Sequence, residues 1–191
     1  MESFPLINTD RKVSKPTWSS VKAAMASMDS KQLVALVSDL YRLSKENQIF
    51  LHTRFGVGGD VLGPYKKTIE ACMYPDIERN KPVQISKAKQ AISSYSKAVG
   101  DPRGEAELMT FFAECGNNFT LDYGDIDEVF YDALNRMYWR AINKVLSLPE
   151  EEQHEFQSRL KAITISSSNI GWDYHDRLCD DYYEAFPEKD E

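Results

Sequence analysis

A chain of 191 residues can bury a substantial core in one domain, and 42% hydrophobic with 12% aromatic content excludes a disordered chain. Its 23 Lys and Arg stand against 30 Asp and Glu, and a net charge of −7 argues against general nucleic-acid binding, which rests on phosphate neutralisation. No stretch approaches the roughly 20 apolar residues that a membrane helix requires, so no membrane association is expected.

Residues 1–14 read as a flexible tail, and the opening "MESFPLINTDRKVSKP" lacks the apolar core of a secretory signal, so a cytoplasmic location is expected. Asp29 or Ser30 can cap "KQLVALVSDLYRL", where Leu33, Val34, Val37, Leu40 and Tyr41 share one helical face. Ser44 can cap "KENQIFLHTRF", which Gly56 ends. "VGGDVLG" is a loop. It is glycine-rich but follows a helix and lacks the Gly-Lys-Ser/Thr of a phosphate loop. Pro64 then suits the first turn of a helix through "YKKTIEACMY". After "PDIERNKP", Ile85, Ala88, Ile92, Tyr95 and Val99 form the next stripe, until "GDPRG" breaks the chain. Leu108, Phe111, Phe112, Cys115 and Phe119 mark another helix, and Ile126 to Val145 carry the cleanest stripe of all. "LPEEEQHEFQSRLKAI" restarts a helix after Pro149, "SSSNIG" is a turn, and "WDYHDRLCDDYYEAF" closes the fold before a short tail at 187–191. Without hairpin dipeptides between alternating runs, the expected fold is all-α. It is a compact bundle of about seven or eight short helices, with possible repeat-like stacking, in a single domain over 15–186.

Candidate chemistry is sparse. Asp122, Asp125, Asp127, Glu128 and Asp132 cluster, but Asp125 with Glu128 makes a capping-box pattern, and the set lacks the ligand spacing of a calcium loop. Glu128, Asp132, Arg136 and Arg140 then follow at four-residue steps, acid before base. Glu151 and His154 form one Glu-x-x-His where helical di-iron sites use two. His175 and Cys179 lie four apart without further zinc ligands in sequence, and the serines at 166–168 fit a turn that caps the last helix. Cys72, Cys115 and Cys179 read as buried reduced thiols. No cofactor or metal is expected.

Lys87 and Lys89 are harder to place. If Ser86 caps their helix, they stand where cations oppose the helix dipole. Three readings stay open: the helix starts earlier, near Pro82; the lysines pair with acids that the fold brings in; or, with Lys97, they face a partner. Tyr95 lies on the apolar stripe, so this segment does not offer the exposed aromatic–basic interleaving of single-strand binders.

Two stretches, "ISKAKQAISSYSKAVGDP" and "ELMTFFAECGNNFTLDYGDIDEVFYDAL", together with "SKQLVALVSDLYRLSKENQIFLHTRF", resemble a family of small bacterial helical proteins known as a domain of unknown function. The resemblance spans roughly residues 30–146 and is most specific in Ser-Lys-Ala-Lys and Gly-Asp-Ile-Asp; "NIGWDYHDRLCDDYY" looks like the closing segment of longer members. It implies a bacterial, cytoplasmic, helical domain and assigns no catalytic residue.

Charge is polarised along the chain. Residues 1–100 hold 15 cationic and 9 anionic side chains, a net of +6, whereas residues 101–191 hold 8 and 21, a net of −13. A non-enzymatic interaction, adaptor or regulatory module that binds another protein is therefore the leading expectation. Its candidate surface comprises Lys87, Lys89 and Lys97, and, on the last helix, Trp172, Asp173, Asp176, Asp180 and Asp181, an aromatic–acidic edge suited to a basic partner. The alternative is a nucleic-acid-associated regulator with a basic face of Lys66, Lys67, Lys81, Lys87, Lys89 and Lys97. A third is an enzyme whose site holds Glu114 with Asp125 or Asp127.

Overall fold

Apolar stripes at helical spacing, punctuated by caps and prolines, produce an all-helical chain in the computed structural model, which describes residues 15–79 and 81–187. Nine α-helices and one short 3-10 turn occur among the described residues, slightly more than the sequence pattern predicts, and no strand does. No helix among them is long and apolar enough to cross a membrane. The chain divides into two compact units, residues 1–47 and 48–191. The two chain termini expected as tails, 1–14 and most of 187–191, lie outside the described residues.

The first unit holds α1 (Trp18–Met25), α2 (Ser30–Leu43) and the start of α3 (Lys45–Phe55). The short α1 is a helix that the pattern reading passes over; Thr17 caps it. Asp29 caps α2 in a full capping box, its carboxylate accepting from Gln32 N while the Gln32 side chain accepts from Asp29 N. Ser44 caps α3 by accepting from Asn47 N at 3.1 Å. Local signals thus set these helices correctly. Neither α1 nor α2 contains a buried residue.

In the second unit, α4 (Gly63–Met73), α5 (Ile85–Ala98), α6 (Pro102–Tyr123), α7 (Glu128–Leu146), α8 (Glu150–Ser166) and α9 (Tyr174–Ala185) build one core. The longest helix, α6, packs against α4, α5, α7 and α8, and α9 closes over α7 and α8. Phe112, Phe130, Leu134, Met137, Phe156, Leu160 and Leu178 are almost wholly buried, each worth about 1.5–3 kcal/mol on transfer from water. Buried tyrosines bring hydroxyls that small polar neighbours satisfy. Tyr138 donates to the Leu160 carbonyl at 3.0 Å beside Thr164, Tyr174 donates to Asn117, and Tyr131 meets Thr120 and Asp125.

The break expected at "GDPRG" is present but short, and two local expectations are corrected. Between α5 and α6, Gly100 takes a φ of +70°, Asp101 caps α6 through Arg103 N and Gly104 N, Pro102 opens the helix, and Gly104 already lies inside it against Tyr95. The cap of α7 is Asp127, which accepts from Phe130 N at 2.8 Å, because α6 runs on through Asp122 and Tyr123 to Gly124, whose φ of +86° ends it. Asp125, expected as that cap, instead accepts from the Tyr131 hydroxyl at 3.0 Å. The serine-rich turn finishes α8 rather than capping α9. Ser167 donates to the Thr164 carbonyl, whereas α9 follows Asp173, which makes no side-chain cap.

Candidate functional site

Part of the acidic half of the sequence is paired with cations across helices. Arg159 on α8 chelates two glutamates of α6, its Nε and Nη2 donating to Glu114 at 2.7 and 2.8 Å and its Nη1 and Nη2 to Glu107 at 2.5 and 3.1 Å. Lys66 of α4 adds a contact to Glu107 at 2.6 Å, and Arg103 reaches Glu152 and Glu155 of α8 at 3.3 and 3.2 Å. The guanidiniums of Arg103 and Arg159 both lie over the Phe156 ring. Lys66, Arg103, Glu107, Glu114, Glu155 and Arg159 line a cleft of about 660 Å³ together with Leu62 and Phe111. Burial pushes the Glu107 carboxyl up, but Arg159 and Lys66 outweigh it and hold it below the usual carboxylate range. Glu105 behaves alike: burial raises it, and Lys144 at 2.8 Å with Ser96 lowers it further than that. A carboxylate so held stays ionised, and Glu107 and Glu114 take four of the five Arg159 N–H donors. The cleft joins α4, α6 and α8 by charge.

That geometry bears on the enzymatic reading. Glu114 serves Arg159, Asp127 serves the α7 cap, and Asp125 serves Tyr131, so the carboxylates proposed for one acid/base pair have separate tasks. The other arrangement with nucleophile chemistry is Ser167, His175 and Cys179. Since the Ser167 hydroxyl hydrogen goes to the Thr164 carbonyl, its 2.9 Å contact with His175 is an Nδ1–H donation, which leaves the lone pair on Nε2. Cys179 Sγ, however, lies 3.5 Å from Nε2 and 3.9 Å from Nδ1. A sulfur on the axis of the Nε2 lone pair would lie much farther from Nδ1 than from Nε2, so Cys179 is out of line with that lone pair. Burial, then Asp176 and Asp180, push this thiol up, opposite to what an activated nucleophile needs. Cys72 and Cys115 are buried as expected, whereas Cys179 is only partly buried because it stands beside the exposed side of α9; burial pushes Cys115 up to about 12. Among the described residues, no group of His, Cys, Asp and Glu is arranged to hold a metal ion.

The surface residues picked out in the sequence fall into two sets. On α5, Lys87 and Lys97 are exposed, and Lys89 is half-buried. The helix begins at Ile85 without a side-chain cap, so it does not start near Pro82. No ion pair engages Lys87, Lys89 or Lys97 among the described residues. Burial, then Arg136 and Arg140 of α7, hold the Lys89 ammonium below the usual lysine range. Sequence reading missed these two arginines as neighbours of Lys89, because it placed them in a ladder of acid–base pairs along α7. Asp132 does pair with Arg136 at 2.9 Å, but Arg140 has no partner among the described residues.

The second set frames α9. Trp172 and Asp173 both adopt left-handed backbone, at φ +63° and +53°, a conformation uncommon for residues with side chains. The Trp172 indole is 53% exposed and stacks on Tyr131 at 6.5 Å. Tyr174, Leu178 and Tyr182 form the buried stripe of α9, which leaves Asp173, Asp176 and Asp180 on its exposed side. Asp181 is half-buried, and burial with Asp180 and Glu184 pushes its carboxyl up. No ion pair among the described residues links the α5 lysines to these acids.

A further exposed apolar face lies on α2. Val34, Val37, Leu40 and Leu43 are 69%, 43%, 46% and 76% exposed, and Trp18 and Val21 of α1 are 69% and 48% exposed. No protein-family model, curated protein or solved structure matches the chain.

Proposed function

We propose that this chain is a cytoplasmic, non-enzymatic interaction module that binds another protein. The observation that carries the reading is α2, a capped amphipathic helix whose whole apolar stripe is exposed or half-exposed. Leu33, Val37 and Leu40 follow the i, i+4, i+7 spacing with which a helix enters an apolar groove of a partner. Residues 15–47 carry five cations against three anions, so the groove that suits them has an acidic rim. The aromatic–acidic edge of Trp172, Asp173, Asp176, Asp180 and Asp181 is a second contact in this reading, for a basic segment of the partner.

The test is a pull-down from host lysate with the full chain and with Leu40→Asp, after nuclease treatment. A protein recovered near stoichiometry with the parent chain and lost with Leu40→Asp supports the module. Recovery that is indifferent to Leu40→Asp, or no partner at all, refutes it.

A further inference from the structure

The outward face of α7 presents groups that the packing of the helix leaves unused. Its inner side holds Leu134, Met137, Tyr138 and Ala141 in the core. Arg136, Trp139, Arg140 and Asn143 recur at steps of three and four on the other side, all exposed, with the Trp139 indole 53% accessible. Arg136 shares the single carboxylate of Asp132 with Arg177 of α9, at 2.9 and 3.0 Å. Arg140 has neither hydrogen bond nor ion pair among the described residues. Lys89 of α5 is half-buried and also without a carboxylate among the described residues; burial, then the charges of Arg136 and Arg140, hold its ammonium below the usual lysine range. Gathering like charges costs free energy, which the one carboxylate shared by Arg136 and Arg177 offsets only in part. Arg136 and Arg140 gather in the half of the sequence with a net charge of −13.

We propose that Lys89, Arg136, Arg140 and Trp139 form a binding face for single-stranded nucleic acid, the cations taking successive backbone phosphates and the indole stacking on an unpaired base. The chemistry of each group fits. Guanidinium forks match phosphate oxygens bidentately, and the flexible ammonium of Lys89 adds a point charge beside them. An exposed aromatic offers a platform to any unpaired base, whereas a duplex hides its base faces. The face is open rather than a pocket, which suits a polymer that brings several phosphates over a lone nucleotide. An acidic protein segment would meet the cations but leave the flat indole without a stacked partner. This face is independent of the α2 stripe, so either can fail without the other.

Fluorescence anisotropy of a labelled oligothymidylate with the full chain, across a salt series, tests the proposal. The expected result is binding at low salt with a log–log salt slope of about −2, from roughly 0.7 per phosphate and three cations. Arg140→Glu should weaken binding about tenfold and flatten the slope, and Lys89→Met, which keeps the buried stem, should do so to a lesser degree. Trp139→Leu should weaken binding about tenfold with the slope unchanged, since it removes stacking and not charge. A matched duplex should bind less tightly than the single strand. The proposal is overturned by absence of binding at low salt, by binding that none of the three substitutions alters, or by polyglutamate displacing the strand as well as unlabelled oligothymidylate does. Arg140 and Trp139 are exposed, so these variants keep the core intact, which a thermal melt verifies.

Discussion

Helices α2 and α7 carry apolar stripes of comparable regularity, yet one belongs to a unit without a core and the other to the centre of a bundle. On α7, Phe130, Leu134, Met137 and Ala141 are essentially inaccessible to water. On α2, none of the equivalent stripe is buried: Val34, Val37, Leu40 and Leu43 are exposed and Leu33, Leu36 and Tyr41 partly so. The difference is not in capping, since α2 has the complete capping box and α7 only a single acceptor at Asp127. Periodicity records which face of a helix needs cover; it does not record what supplies it. Where the cover is another element of the same unit, as α6 is for α7, the stripe becomes core. Where it is not, the stripe is a demand for a partner, and a helix of 14 residues sits near the length at which isolated helices are marginal in water.

The sharpest way to break this contrast is the same substitution in both regions. Leu134→Ala removes a side chain with no exposed area and should cost about 2–5 kcal/mol, whereas Leu40→Ala, at 46% exposure, should cost under about 1 kcal/mol. Urea unfolding of the two variants measures it, and equal losses would show that α2 is buried in solution.

Next in size is the charged clamp. Arg159→Met leaves Glu107 and Glu114 facing each other with Lys66 alone to compensate; at about a quarter exposure the cost should be about 2 kcal/mol, below that of a fully buried pair. Its pH signature has a definite sign. Glu107 and Glu105 titrate lower when folded than when unfolded, so the stability they confer is complete above the ordinary glutamate range and is lost as pH falls through their folded values. Urea midpoints at neutral pH and at about pH 3 should therefore differ for the parent chain, and differ less in Arg159→Met. An unchanged difference would remove the clamp from the explanation.

A smaller effect tests the close approach of α5 to α6. Gly104→Ala adds a Cβ that overlaps the Tyr95 hydroxyl and ring, and Tyr95 is held in place by Asp101 and by burial. The overlap should exceed the helix-propensity gain and destabilise by about 1–2 kcal/mol; Tyr95→Phe in the same background should recover part of it.

Gly104 also shows why parts of the molecule were not legible in the sequence. A glycine after proline in "GDPRG" carries the local signature of a turn, and only the approach of Tyr95 from α5 explains it inside a helix. The shift of the α7 cap from Asp125 to Asp127 has the same origin: several acids can cap, and the length of α6 decides among them. What could be read from nearest neighbours was read well, including the caps of α2 and α3, Pro64 in the first turn of α4, and the glutamates opening α8. Chemistry that depends on elements meeting was not. Arg159 gathering Glu107 and Glu114, and Arg136 and Arg140 acting on Lys89, bring together residues roughly 45–50 positions apart, with no local pattern to announce them. Trp139 lies off the apolar stripe of α7 in the sequence, and one aromatic residue off a stripe carries no pattern of its own to mark it.

Amide hydrogen exchange on the isolated full chain, resolved by peptide, tests the contrast between the two regions most directly. Amides of α2 should exchange orders of magnitude faster than those of α6 and α7, because local opening of α2 exposes little that was buried, whereas opening of the bundle exposes its core. Protection of α2 equal to that of α7, at high and low protein concentration alike, would contradict the account by showing that its stripe is already covered within the chain.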